Sequence, residues 1–431
     1  MVDVETVVAQ AFREEWGQIV ATLIRVTGDW DLAEECAQEA FALALRTWPR
    51  DGVPARPGAW LTTAARNRAT DRIRREKLGV AKLREAGSMI VPPEEDHDDS
   101  GDESGIADDR LRLIFTCCHP ALAVEAQVAL ALRTLAGLST GEIARAFLVT
   151  EATMSQRLVR VKRKIRNAGI PYRVPPAHLL PERTAAVLGV LYLTFNEGYS
   201  ATTGPDLLRP DLAAEGIRLA RVLARLMPDE PEALGLLALM LLQHARRDTR
   251  VAGGELVPLE EQDRSRWDAG EIAEGKDVLG TALRRRKPGP YQIQAAIAAC
   301  HASAAIATDT DWAQIAGLYR ELLKFVPSPV VELNRTVAVA MSDGPAAGLA
   351  LLDTLAGKLD GYHLLPATRA DFLRRLGRNA EAAECYEAAL TLAGTEAERR
   401  YLTRRISETG VSVPGIPERR VDDRPRPEGP S

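Results

Sequence analysis

The chain has 431 residues and a formal net charge of -5, too long for one ordinary core, so two or three domains are implied. Ala, Leu, Arg and Glu dominate, aromatic residues make up only 5%, and alternating β-branched runs are nearly absent, which excludes a sheet-based fold. Five scattered cysteines exclude a disulfide framework, and the longest apolar run, ALGLLALMLL at 233–242, falls short of the roughly 20 residues a bilayer span needs. The opening MVDVETVVAQ is acidic and amphipathic, unlike a signal peptide, so a cytoplasmic protein without membrane association is expected.

Residues 1–85 read as a first helical domain. In DWDLAEECAQEAFALALRTW, Asp31 and Glu34 resemble a helix-starting cap, and Phe41, Leu45 and Trp48 are expected to form a buried stripe. Asp31, Glu34, Glu35 and Gln38 remain on the early, acidic turns. In AWLTTAARNRATDRIRREK, Leu61, Ala65, Ala69 and Ile73 recur every fourth residue and give a narrow apolar stripe. Arg66, Thr70, Arg74 and Lys77 lie on another face beside Asn67, with further charge from Arg68, Arg72 and Arg75. Long cations and an amide on one face suit phosphates and base edges, and Trp60 at the helix start offers a ring for an unpaired base. A solvated charged face is the plainer reading of such a helix taken alone.

Residues 86–109, including PPEEDHDDSGDESGIADD, lack large apolar groups and read as a flexible acidic linker. A second helical domain is expected over 110–175, closing at GIPYRVPP. Within it, GLSTGEIARAFLVTEATMSQRLVRVKRKIR carries a capping box at Ser139 and Glu142, inward Ile143, Ala144 and Phe147, a turn at LVT, and a cap at Thr150. The following helix buries Met154, Leu158, Val161 and Ile165, and presents Thr153, Gln156, Arg157, Arg160, Arg163 and Lys164 on its opposite side. A short helix, a tight turn and a basic second helix form a helix-turn-helix, whose early residues approach base edges in the major groove.

Residues 176–410 read as an α-helical array, and 411–431 as a charged, proline-rich disordered tail. Tyr319, Asp353 and Tyr386 recur 34 and then 33 residues apart, the period of tetratricopeptide (TPR) helix pairs. Ala370, Leu373, Gly377, Ala382, Tyr386 and Ala389 carry the best-formed unit, Gly344 marks a turn in the middle one, and the first ends at Pro327. CCHP at 117–120 lacks zinc-ligand spacing and reads as a buried helix start. Asn196 and Glu197 in FNEGY, with Glu332 and Asn334 in ELNR, either line a groove or satisfy helix ends. No phosphate loop, nucleophile elbow or metalloprotease motif is present, so neither enzymatic activity nor a cofactor is expected.

Taken in order, DLAEECAQEAFALALRTW, AWLTTAARNRATDRIRR, the acidic linker and GLSTGEIARAFLVTEATMSQRLVRVKRKI resemble the extracytoplasmic-function (ECF) sigma factors of the sigma-70 family. FTCCHPAL, LYLTFNEGYSA and PSPVVELNRTVAVA are similar to the subgroup with a TPR-like C-terminal extension. The resemblance implies an all-α chain of sigma region 2, linker, helix-turn-helix region 4 and array, which directs core RNA polymerase to promoters and initiates transcription. It places Asp31, Glu34, Glu35 and Gln38 against the polymerase β′ clamp, with the β subunit as a further partner. It places Trp60, Arg66, Asn67, Asp71, Arg72, Arg74 and Arg75 on the −10 promoter element. Thr153, Gln156, Arg157, Arg160, Lys162 and Arg163 fall on the −35 reader, and a regulatory protein or ligand is implied at the array. Two alternatives stay open on the residues alone: a conventional helix-turn-helix regulator whose array senses a ligand or peptide, and a scaffold with solvated basic faces.

Overall fold

A computed structural model describes residues 4–86, 109–147, 149–199, 210–252 and 255–411, with side chains described outside 76–86 and 210–211. The linker assigned to 86–109 and the tail at 411–431 therefore lie almost wholly outside the described residues. The described chain is all-α apart from one two-stranded ladder, and it divides into two compact units, the second beginning at Leu234.

The first unit holds nine helices among the described residues: α1 (Val4–Thr27), α2 (Trp30–Asp51), α3 (Pro57–Ala86), α4 (Asp109–Cys117), α5 (Val124–Thr134), α6 (Thr140–Ala146), α7 (Glu151–Asn167), α8 (Leu180–Tyr199) and α9 (Pro210–Leu226). Small residues govern how closely they pack. Ala33, Ala37, Ala40 and Ala44 of α2 and Leu61, Ala65 and Ala69 of α3 are buried, so the α1–α3 bundle closes on short side chains. The aromatic weight comes from Trp16, Phe41 and Trp48, all buried. The turn to α8 is anchored on the second helical group, where Arg183 donates to the Phe115 carbonyl at 2.9 Å. At the α8–α9 crossing, a Cβ on Gly198 would sit 2.2 Å from the Ala213 nitrogen, so only glycine admits this approach. The domain boundary expected at 175/176 lies within the first compact unit, in which α8 packs on α4 and α5 and α9 packs on α8.

The second unit holds α10 (Pro231–His244) from Leu234 onward, α11 (Ala269–Arg284), α12 (Pro290–Ser303), α13 (Trp312–Phe325), α14 (Pro329–Asp343), α15 (Pro345–Asp353), α16 (Leu364–Arg375), α17 (Asn379–Leu392) and α18 (Glu396–Glu408). Between α10 and α11, β1 (Val251–Ala252) and β2 (Glu255–Leu256) pair antiparallel, Val251 with Leu256 and Ala252 with Glu255. Three apolar clusters follow one another along the array: Ile293, Ile297, Ile315, Leu322 and Ala338; then Leu333, Ala340, Leu352, Leu355 and Phe372; then Ala370, Leu373, Ala382, Tyr386, Ala389, Leu402 and Ile406. Helices α14 and α16 each feed two clusters, which is how a stack of helix pairs makes a continuous core. Gly344, at φ 99°, forms the turn between α14 and α15. The segment after β2 returns to the array: Glu260 and Glu261 accept from Arg375 at 2.8 Å and Arg405 at 2.5 Å.

Candidate nucleic-acid and partner interface

Helix α2 begins one residue pair earlier than its acids suggest. Asp29 is the cap, its Oδ1 accepting from the Asp31 and Leu32 amides at 2.8 and 3.1 Å. This corrects the assignment of the cap to Asp31 and Glu34 and leaves both for other contacts. The buried stripe runs through Phe41, Ala44 and Trp48, whereas Leu45 is 45% exposed. The expected Phe41, Leu45 and Trp48 stripe is corrected accordingly: a three-residue step to alanine keeps contact with α1, and Leu45 turns past it to solvent.

The four acidic-turn residues do not share one environment. Glu35 and Gln38 are exposed, Asp31 points outward, and Glu34 is buried at 5% exposure. Across on α3, Arg66, Asn67, Asp71, Arg74 and Arg75 are exposed, forming the basic face. Arg72 is turned inward: its guanidinium donates to Glu35 at 2.5 and 2.9 Å and to Glu39 at 2.6 Å. Its hydrogen bonds hold the Glu35 carboxyl below the usual range, and Glu35 in turn raises the Arg72 pKa. Arg72 therefore ties α3 to α2 here, while its neighbours face outward. Trp60 is half-buried and meets Trp48 edge to face, centroids 5.4 Å apart.

The helix-turn-helix forms as its caps dictate. Ser139 Oγ accepts from the Glu142 amide at 3.2 Å while Glu142 accepts from the Ser139 amide at 2.7 Å. The Ser139 hydroxyl also donates to Glu142 Oε2 at 2.7 Å, and this bond with that from the Ser139 amide holds the Glu142 carboxyl below its ordinary pKa. Ile143 and Ala144 are buried and Phe147 half-buried; Leu148, within the expected LVT turn, lies outside the described residues. Thr150 Oγ1 accepts from the Thr153 amide at 3.2 Å and opens α7, whose Met154, Leu158, Val161 and Ile165 are buried together. Gln156, Arg157, Arg160, Arg163 and Lys164 are exposed, Thr153 is half-buried, and Arg160, Arg163 and Lys164 border a shallow concavity with Asn167. A row of cations behind a capped turn is the arrangement that suits a groove and its phosphates.

Lys162 departs from that row and is corrected. It is 8% exposed, and its ammonium donates to Asp31 Oδ1 at 2.8 Å and to Glu34 Oε1 at 2.7 Å. The other Glu34 oxygen accepts from Arg133 Nε at 2.9 Å. Lys162 follows Val161 on the inward side of α7, where a desolvated cation needs an anion, and Glu34 supplies it. The sequence reading missed Arg133 and also Arg218 of α9, whose Nη atoms donate to the Arg13 and Leu135 carbonyls, both at 3.0 Å. No local pattern marks either residue.

CCHP is the end of α4 and not a helix start: the Cys118 amide bonds the Ile114 carbonyl at 3.0 Å, and α4 stops at Cys117. Cys117 Sγ lies 3.3 Å from Thr134 Oγ1, and burial pushes its thiol up to about 12. Glu332 pairs with Arg335 at 2.7 Å one turn on, and Asn334 is exposed. Among the described residues, no helix is long and apolar enough to cross a membrane.

Comparison with known proteins gives three family matches: sigma-70 region 2 over residues 12–78, sigma-70 region 4 over 112–165, and a family of unknown function (DUF6596) over 183–283. An uncharacterized protein of Rhizobium meliloti is 45% identical over 412 residues, covering 93% of this chain and 95% of its own. The ECF RNA polymerase sigma factor SigK of Mycobacterium ulcerans is 28% identical over 151 residues, 35% of this chain and 79% of its own. SigK of Mycobacterium tuberculosis is 28% identical over 163 residues, 37% of this chain and 83% of its own. No solved structure matches.

Proposed function

The chain belongs to the sigma-70 family, in one group with its Rhizobium relative, and on that premise we propose that it is an ECF-type alternative sigma factor. In this reading it binds core RNA polymerase, recognises −35 and −10 promoter elements in the cytoplasm, and performs no chemistry of its own. The carrying observation is that two different exposed basic surfaces sit on the two matched regions, in order: the face of α3, and the capped helix-turn-helix with its cations on α7. Opening a promoter needs both, one element to hold duplex and one to hold separated strand.

In detail, α7 reads the −35 element through Gln156 and Arg157 near its start, with Arg160 and Arg163 on phosphates. Arg66, Asn67, Arg74 and Arg75 hold the −10 strand beside the half-buried Trp60. The exposed acids of α2 grip the β′ clamp. The extension belongs to the TPR-like subgroup and regulates the factor. Support for this last point comes from helices that share successive apolar clusters along α12–α18.

Run-off transcription with purified core polymerase tests the reading. Promoter-specific transcripts from that two-component mixture are the expected result. Tight duplex binding without polymerase, and no initiation with it, would mean a conventional helix-turn-helix regulator. Absence of any salt-dependent DNA interaction would leave only a scaffold.

A further inference from the structure

The surfaces assigned to polymerase and to promoter are in part occupied by each other. Glu34 of α2, matched to the clamp-binding stretch, has one carboxylate oxygen on Lys162 and the other on Arg133. Lys162, on the −35 helix, has its ammonium on Glu34 and Asp31. A carboxylate and an ammonium engaged this way cannot also meet a protein partner or a phosphate. The two regions continue in contact away from these ions. A Cβ on Gly17 of α1 would lie 2.9 Å from the Leu135 carbonyl oxygen at the end of α5, so the glycine is what admits the carbonyl. Tyr172 donates to the Ala21 carbonyl at 2.8 Å.

Arg218 completes the arrangement from outside both regions. It lies in the stretch of unknown function, Glu215 accepts from its Nε at 2.7 Å, and its two Nη atoms reach one carbonyl in each region. A planar guanidinium with its third edge fixed is suited to holding two acceptors at a set separation.

We propose that α8 and α9 form a clasp that keeps regions 2 and 4 closed on each other, with Lys162, Glu34 and Arg133 as the masked contact, and that the clasp must release before the factor engages polymerase and promoter. The geometry stands alone; its regulatory consequence rests on the sigma-factor reading. Closure competes with binding because both use the same charged atoms. A binding-competent form populated only in part lowers apparent affinity by that fraction.

Two variants open the clasp without touching residues assigned to polymerase or DNA: Gly17→Val, which wedges the Leu135 carbonyl away, and Arg218→Ala, which removes the bridge. The first readout needs no polymerase. Brief acylation of lysines in the intact full chain, followed by peptide mass spectrometry, compares buried Lys162 with exposed Lys164. In the wild-type chain Lys162 should react about tenfold more slowly than Lys164, and in either variant the two rates should converge. Equal rates in the wild type, or a Lys162 still protected in both variants, would overturn the clasp. The second readout is run-off transcription with core polymerase, where Arg218→Ala should exceed the wild type severalfold; equal output overturns the regulatory consequence. If no protein, wild type included, initiates transcription, the sigma-factor reading fails, and the lysine rates still decide whether the regions are clasped.

Discussion

His301 of α12 should make the second unit lose stability in mild acid. Its ring meets Trp312 edge to face at 5.1 Å, and its Nδ1 is buried without a hydrogen-bond partner among the described residues. Burial first, and then the nearby Arg246 and Arg264 cations, lower its pKa from 6.5 to about 4. The folded value lies below the unfolded one, so the unfolded chain takes up the proton more readily. Stability is therefore complete above pH 6.5, falls as pH drops towards 4, and levels off below that. At about 1.4 kcal/mol per pH interval, the full loss is about 3 kcal/mol, of which about 2 kcal/mol has appeared by about pH 5. Carboxylates also titrate in this window, so the measurement is a difference. His301→Phe keeps a flat ring against Trp312 and removes the proton. Urea unfolding of wild type and variant at about pH 7.5 and 5, read on α12 peptides by pulse-labelling hydrogen exchange, should show the variant gaining about 2 kcal/mol on the wild type as pH falls. A difference that stays constant between the two conditions refutes the argument.

Further outcomes follow from the packing. Ser139→Ala removes one half of the capping box and should destabilise the helix-turn-helix by about 1 kcal/mol, measurable by denaturant unfolding and by weaker duplex binding. Trp48→Ala should cost about 3–5 kcal/mol, whereas Leu45→Ala, at a position facing solvent, should change the same melting curve little. Gly198→Ala should lower first-unit stability by about 1–3 kcal/mol despite alanine's better helix propensity, since the added methyl meets the α9 backbone; an unchanged denaturation midpoint would contradict the close crossing.

What the sequence discloses is largely what neighbours along one helix decide. The Met154, Leu158, Val161 and Ile165 stripe and both helix-turn-helix caps needed only local spacing. So did the Ala370 to Ala389 cluster, because two adjacent helices and a Gly377 turn make most of it. Close competitors misled the reading at Asp29 against Asp31, where two equally good cap residues flank one tryptophan. At Leu45, an alanine supplied the contact that leucine was expected to make. The two-residue β ladder is too short for alternation to register. Repeat positions proved unequal in environment: Tyr386 is buried, while Asp353 is exposed and pairs with Arg369 at 2.7 Å. The partnerships of Lys162 with Glu34, 128 positions away, and of Arg218 with Arg13, 205 away, leave no trace in periodicity. They exist only once the helices have assembled.

The cysteines carry a practical consequence. Burial raises the pKa of all five thiols, but Cys36, Cys117 and Cys118 are sealed inside the first unit, whereas Cys300 and Cys385 sit half-open in the second. A thiolate-seeking dye applied to the folded, unaltered chain near neutral pH would colour the extension and leave the promoter-facing half dark. The protein thus arrives with its own selective labelling sites, and motion of the C-terminal half can be followed by fluorescence without engineering a single residue.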